Sequence, residues 1–102
     1  MVYNVLKYNI VDEEIEAAIT YYEAISFELG KKFENAIEYT LDLLEKNPKN
    51  YFNLPDNKHR RIPIPDFPYA LIYSVDGNIV IVKILFPLRE DPAKLWTRLT
   101  IL

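Results

Sequence analysis

Five cations, Arg60, Arg61, Lys83, Arg89 and Arg98, and three groups able to pass a proton, His59, Tyr69 and Tyr73, are the residues of this 102-residue chain that could do chemistry. The chemistry would be RNA cleavage, in which cations hold the scissile phosphate while a general acid–base pair moves a proton. The sequence supplies the cations better than the proton transfer. His59 is the only histidine and reads as a surface residue beside two arginines. Tyr69 and Tyr73 fall on the expected core side of a strand, where aromatic packing is their duty. A pI of 5.1 also opposes docking against ribosomal RNA, because affinity for phosphate follows the number of cations brought to it. No metal and no cofactor are expected. The chain has no cysteine, His59 has no ligand partner at useful spacing, and the two glycines, Gly30 and Gly77, make no phosphate loop.

One domain, residues 1–102, must position these groups, since a chain of this length builds one modest core. The composition, 50% hydrophobic and 26% charged, is that of a folded domain. No signal peptide and no membrane span are expected, and the expected location is the cytoplasm. Net charge is −3 but uneven: residues 12–45 hold ten acidic and two basic side chains, whereas residues 58–102 hold seven basic and four acidic ones. Either the helices carry a solvated acidic face, or the C-terminal half presents a basic face to an anionic or acidic partner.

Hydrophobic spacing predicts the elements. Val2 to Tyr8 reads as a strand. Asp12 reads as an N-cap, followed by Ile15, Ala18, Ile19, Tyr22 and Ile25 at helical spacing. A second helical set, Leu29, Phe33, Ala36, Ile37 and Leu44, stops near Asn47 because Pro48 follows. A break between Ser26 and Gly30 gives a helical hairpin; one continuous helix is the alternative. Asn47 to Lys58 reads as a loop, and His59 to Pro65 as an extended segment confined by its prolines to an edge. Phe67–Val75 and Asn78–Leu85 make a hairpin around a type I′ turn at Asp76-Gly77. Asp91-Pro92 opens a short terminal helix through Leu95, Trp96 and Leu99.

With Val75 opposite Asn78, Tyr73 faces Val80, Leu71 faces Val82 and Tyr69 faces Ile84. Those residues, with Phe67, form the face that receives the helices. The opposite face, with Ala70, Ile72, Ser74, Ile79, Ile81, Lys83 and Leu85, is apolar and short of elements to cover it. Ala70, Ile72, Ile79 and Ile81 are therefore expected to meet a partner.

The order of Tyr21-Tyr22-Glu23, Leu29-Gly30-Lys31-Lys32-Phe33, Arg60 ahead of Phe67-Pro68-Tyr69, and Asp91-Pro92 with Trp96 resembles the RelE/ParE superfamily of small toxins, particularly its ParE-like, plasmid-stabilisation branch. The resemblance implies an α+β fold: an N-terminal strand, a helical hairpin, an antiparallel sheet packed on the helices and a short C-terminal helix. It further implies a type II toxin that binds DNA gyrase, neutralised by an antitoxin whose C-terminal segment wraps it. Arg60, and Arg98 near the closing motif, match functional arginines of the family. Phe86 and Pro87 stand where a histidine is common, and Asp66 stands where a basic residue is. Both departures remove groups that a ribosome-dependent endonuclease would use. That activity is the runner-up, followed by a non-toxic interaction module; homodimerisation is also compatible with the open sheet face.

Overall fold

The structure, a computed structural model, describes residues 2–101. Strand β1 (Asn4–Lys7) leads into helices α1 (Asn9–Ile25) and α2 (Phe27–Lys46). A 3-10 turn (Pro48–Asn50), β2 (Phe52–Asn53), β3 (Arg60–Pro63), β4 (Tyr69–Asp76), β5 (Ile79–Pro87) and α3 (Pro92–Ile101) complete the chain. The strands form one sheet in the order β1-β5-β4-β3-β2. The sheet is mixed, because β1 runs parallel to β5 while every other pair is antiparallel.

The hairpin break falls at Ser26, whose backbone is extended (φ −159°, ψ 146°). Its hydroxyl accepts the Leu29 N–H at 3.0 Å, satisfying a donor that the first turn of α2 cannot pair internally. Gly30 allows the two helices to close. A Cβ there would lie 2.3 Å from Glu23 Cγ and 3.1 Å from its backbone nitrogen. Helix α1 begins at Asn9, earlier than the expected cap at Asp12; Asp12 instead sits in the first turn and pairs with Lys7 at 2.8 Å.

Both helices lie on one face of the sheet. Val11, Ile15, Ile19, Phe33, Ile37 and Leu44 pack there against Ile62, Leu71, Tyr73, Val80 and Val82. At the hairpin tip Phe67 contacts Tyr22 and Phe33 edge-on, with ring centroids 4.9 and 5.0 Å away.

Two features of the β4–β5 hairpin correct the expected register. The turn residues are Gly77-Asn78, and only Gly77 has positive φ (+58°), the pattern of a type II′ turn and not of Asp76-Gly77 in type I′. Tyr73 consequently pairs with Val82, not Val80. The register then slips between Ile72 and Tyr73, so that Ile72 faces Ile84 and Lys83 is the extra residue of a β-bulge. Past the bulge the faces exchange. Ile84, expected among the helix-facing residues, joins the opposite side, and Leu85 takes its place in the main core.

That opposite side is not open over its whole length. Helix α3 lies on it, packing Leu95, Trp96 and Leu99 over Leu54, Ile72, Ile84 and Phe86. Ala70 and Ile72, expected to meet a partner, are each only 1% exposed. The expected shortage of cover fails because ten residues of helix suffice for this short sheet. Ile79 and Ile81, farther along β5, remain half-exposed. Asp91 does cap α3, its Oδ1 accepting the Ala93 N–H at 2.9 Å.

Candidate functional site

The five candidate cations do not converge. Arg60 points to the helix layer, where Nη1 donates to the carbonyls of Lys49 (3.1 Å) and Tyr51 (2.9 Å). It thereby fixes the segment that enters β2. Arg98 Nη2 meets Glu14 Oε2 at 2.6 Å, while Glu14 Oε1 accepts the Leu85 N–H at 3.1 Å. One carboxylate thus ties α1, α3 and the edge of β5 that β1 leaves unpaired. Lys83 lies against His59, with Nζ 3.1 Å from Nε2. Arg61 and Arg89 keep exposed side chains. Arg61 stacks over the Phe52 ring at 4.8 Å, and Arg89 lines a cleft of about 360 Å³ with Tyr21, Ile25, Phe67 and Tyr69 at the hairpin tip.

His59 is not a surface residue. It is 8% exposed, and its Nδ1 lies 2.6 Å from Asp56 Oδ2. Asp56 Oδ1 also accepts the N–H groups of Lys58 (2.9 Å) and His59 (3.1 Å). Burial alone would raise the Asp56 carboxyl, but the ring of His59 and these two N–H groups outweigh it and hold the pKa at about 2. With the Lys83 ammonium donating to Nε2, the network assigns the imidazole proton to Nδ1, facing Asp56. Both ring nitrogens are engaged. Sequence reasoning missed Asp56, although a turn-forming Asp three residues before a His is a local signal for this contact.

The two candidate phenols differ: Tyr73 is closed off, whereas Tyr69 is half-buried and lines the cleft that Arg89 shares. Tyr73 is fully buried and its hydroxyl donates to the Pro48 carbonyl at 2.5 Å; burial pushes its pKa well above the usual tyrosine range. Tyr69 belongs to the aromatic cluster at the hairpin tip, and burial, followed by the neighbouring Tyr69, raises the Tyr22 phenol. Among the described residues, no group of three or more His, Cys, Asp or Glu is placed to hold a metal ion, and no helix is long and apolar enough to cross a membrane.

A second concavity runs between the β2–β3 edge and α3. One part, about 250 Å³, is bounded by Phe52, Arg61, Pro63, Ala70 and Leu88. The adjoining part, about 280 Å³, shares Arg61, Ala70 and Leu88 and reaches Leu54, Glu90 and Trp96. Ala70 forms a floor common to both, and Arg61 stands over both.

A helical hairpin on one face of a small mixed sheet, with its cations distributed along strand edges and the terminal helix, defines the α+β architecture of the small toxins that the sequence resembles. The family model described as the ParE toxin of the type II toxin–antitoxin system parDE matches residues 10–86. The chain belongs to the ParE toxin family. A structure of the chromosomal ParDE toxin–antitoxin system from P. aeruginosa shares the fold with a TM-score of 0.73 at 12% identity, covering 86% of this chain and 98% of that one. No curated protein matches the chain. The matched segment ends at Phe86, so α3 lies beyond it.

Proposed function

We propose that this ParE-family chain is a toxin that inhibits DNA gyrase by binding, without catalysis, and that an antitoxin neutralises it by wrapping its C-terminal segment around the domain. The observation that supports binding over cleavage is the closure of two of the three candidate proton-transfer groups, His59 and Tyr73. His59 is held between Asp56 and Lys83, and the Tyr73 hydroxyl is given to Pro48. A general base must lie within hydrogen-bond reach of its target, but both nitrogens of the His59 ring are taken and the Tyr73 hydroxyl is fully buried, out of reach of a substrate. For the antitoxin, the half-exposed Ile79 and Ile81 offer an apolar strip, and Leu6, opposite Ile81 on β1, extends it.

Induced expression in a bacterial host tests toxicity. Purified protein in a gyrase supercoiling assay, beside a translation assay, then tests the target. Growth arrest with inhibited supercoiling and intact mRNA is the expected result. Codon-specific mRNA cleavage lost in His59→Ala would instead make the chain a ribosome-dependent endonuclease, and absence of all three effects would leave an interaction module of the same fold.

A further inference from the structure

Seven of the eight lysines are exposed, and three of these, Lys7, Lys31 and Lys32, end on carboxylates. Lys83 departs from both patterns. It is half-buried, and among the described residues its ammonium forms no ion pair with a carboxylate. Its Nζ lies instead 3.1 Å from Nε2 of His59, with the Tyr8 ring centroid 5.9 Å away. The β-bulge makes this placement, because Lys83 is the residue that the β4 ladder leaves unmatched. Behind it, the buried His59 ring sets Nδ1 2.6 Å from Asp56 Oδ2, and the N–H groups of Lys58 and His59 hold Asp56 in turn. The loop before β3 and the bulge of β5 thus place a carboxylate, an imidazole and an amine in series. A lysine that only fastened the loop would gain more by meeting Asp56 directly, charge against charge. The imidazole stands between them.

We infer that Lys83 is a nucleophilic lysine, acylated by small acyl phosphates, with His59 as the base and Asp56 as the residue that positions it. Nucleophile, base and orienting carboxylate within hydrogen-bond reach of one another are the arrangement that activates a side chain for acyl transfer. The ammonium gives one proton to Nε2, from where it passes to water, and the freed lone pair forms a bond to the acyl carbon. The nitrogen then gives a second proton to Nε2. That proton goes to the departing phosphate oxygen as the bond between acyl carbon and oxygen breaks. An amide and inorganic phosphate result, with no change of oxidation state. Asp56, ionised down to its pKa of about 2, keeps Nδ1 protonated and stabilises the imidazolium formed at each transfer. The donor must be small because Lys83 is half-buried between the His59 and Tyr8 rings. Acylation removes a positive charge two residues from the half-exposed Ile81. It goes beyond the gyrase reading and is independent of toxicity.

The test incubates the full chain with acetyl phosphate and follows the occupancy of each lysine over time by mass spectrometry. Lys49 and Lys58, exposed and free of ion pairs among the described residues, are the internal references. Partial burial alone would make Lys83 slower than either. With a base at Nζ, it should react roughly tenfold or more faster than both. The excess should vanish in acid, where the imidazole takes up a proton and has no lone pair to offer. His59→Gln should bring Lys83 down to the reference rates or below, with circular dichroism showing that the variant is folded. Asp56→Asn should lower the excess and move its loss to lower pH, a displacement that a merely structural contact would not produce. The wild-type comparison and its pH dependence need no variant. Acetylation of Lys83 no faster than that of Lys49 and Lys58, an excess that persists in acid, or an unchanged excess in folded His59→Gln would each overturn the inference.

Discussion

Replacing Tyr73 by Phe removes one oxygen atom and separates two consequences of its burial. The hydroxyl gives its proton to the Pro48 carbonyl, and Pro48 is itself buried. Without the hydroxyl that carbonyl loses its partner where water does not replace it, at a cost of about 1–2 kcal/mol near neutral pH. For a domain of this length that is a fall in Tm of roughly 5–15 °C. The alkaline side behaves oppositely. Burial raises the phenol's folded pKa above its ordinary value of 10.0, so its contribution is fully present below pH 10. Above that, the unfolded chain releases the proton while the folded chain holds it, and wild-type stability falls by up to about 1.4 kcal/mol per pH unit. The Phe variant lacks this loss, so the gap between the two proteins should narrow above pH 10 and then close. Thermal melts followed by circular dichroism at pH 7 and in steps above pH 10 measure both effects. An unchanged Tm at pH 7, or a gap that stays constant into alkali, would refute the assignment of a buried, proton-donating phenol.

Ile72→Asp should prevent folding, because the side chain is 1% exposed beneath α3, whereas Ile81→Asp at the half-exposed strip should fold and lose antitoxin affinity; melts and a pull-down with the antitoxin check both. Arg60→Ala should lower Tm by several degrees, corresponding to about 1–2 kcal/mol, by freeing the carbonyls of Lys49 and Tyr51, so a loss of toxicity in that variant has to be read at a temperature where it is folded. Asp56, with its pKa held at about 2 against an ordinary 3.8, contributes stability that is present above pH 4 and lost as pH falls toward 2. Asp56→Asn should be less stable at neutral pH and show a flatter acid limb in a pH series of melts.

The helices were legible because their apolar spacing is regular and their limits carry local chemistry: Ser26 at the break, Pro48 after α2, Asp91-Pro92 before α3. Four of the five strands existed where expected, β2 falling inside the expected loop, but the register of the hairpin did not follow. Phe67 to Leu85 alternates well enough to assign faces, yet alternation holds only while the ladder is unbroken. Nothing about Lys83 itself marks it as the extra residue that exchanges Ile84 and Leu85. The two-residue β2 is too short to leave a periodic trace, which is why Phe52 and the edge it makes went unread. Of the candidate site, Arg61 and Arg89 were found as exposed cations. The engagement of Arg60, Lys83 and Arg98 was not, since their partners Tyr51, His59 and Glu14 lie 9, 24 and 84 residues away in sequence.

The parallel pairing of β1 with β5 has a temporal side. Val5 meets Val80, so β1 waits during synthesis until β5 has been made before it has a neighbour. Closing so long a loop is entropically unfavourable and slow, and β5 is the hub that must appear before either β1 or β4 can complete its ladder. The helical hairpin, made of neighbouring segments, can form during synthesis, but the surface on which it rests cannot. Glu14 likewise reaches Leu85 and Arg98 only after those residues, 71 and 84 positions later, have been made. A nascent copy therefore has no finished sheet until residues 79–87 have been made, and the packing of both sheet faces is completed together once β5 and α3 exist.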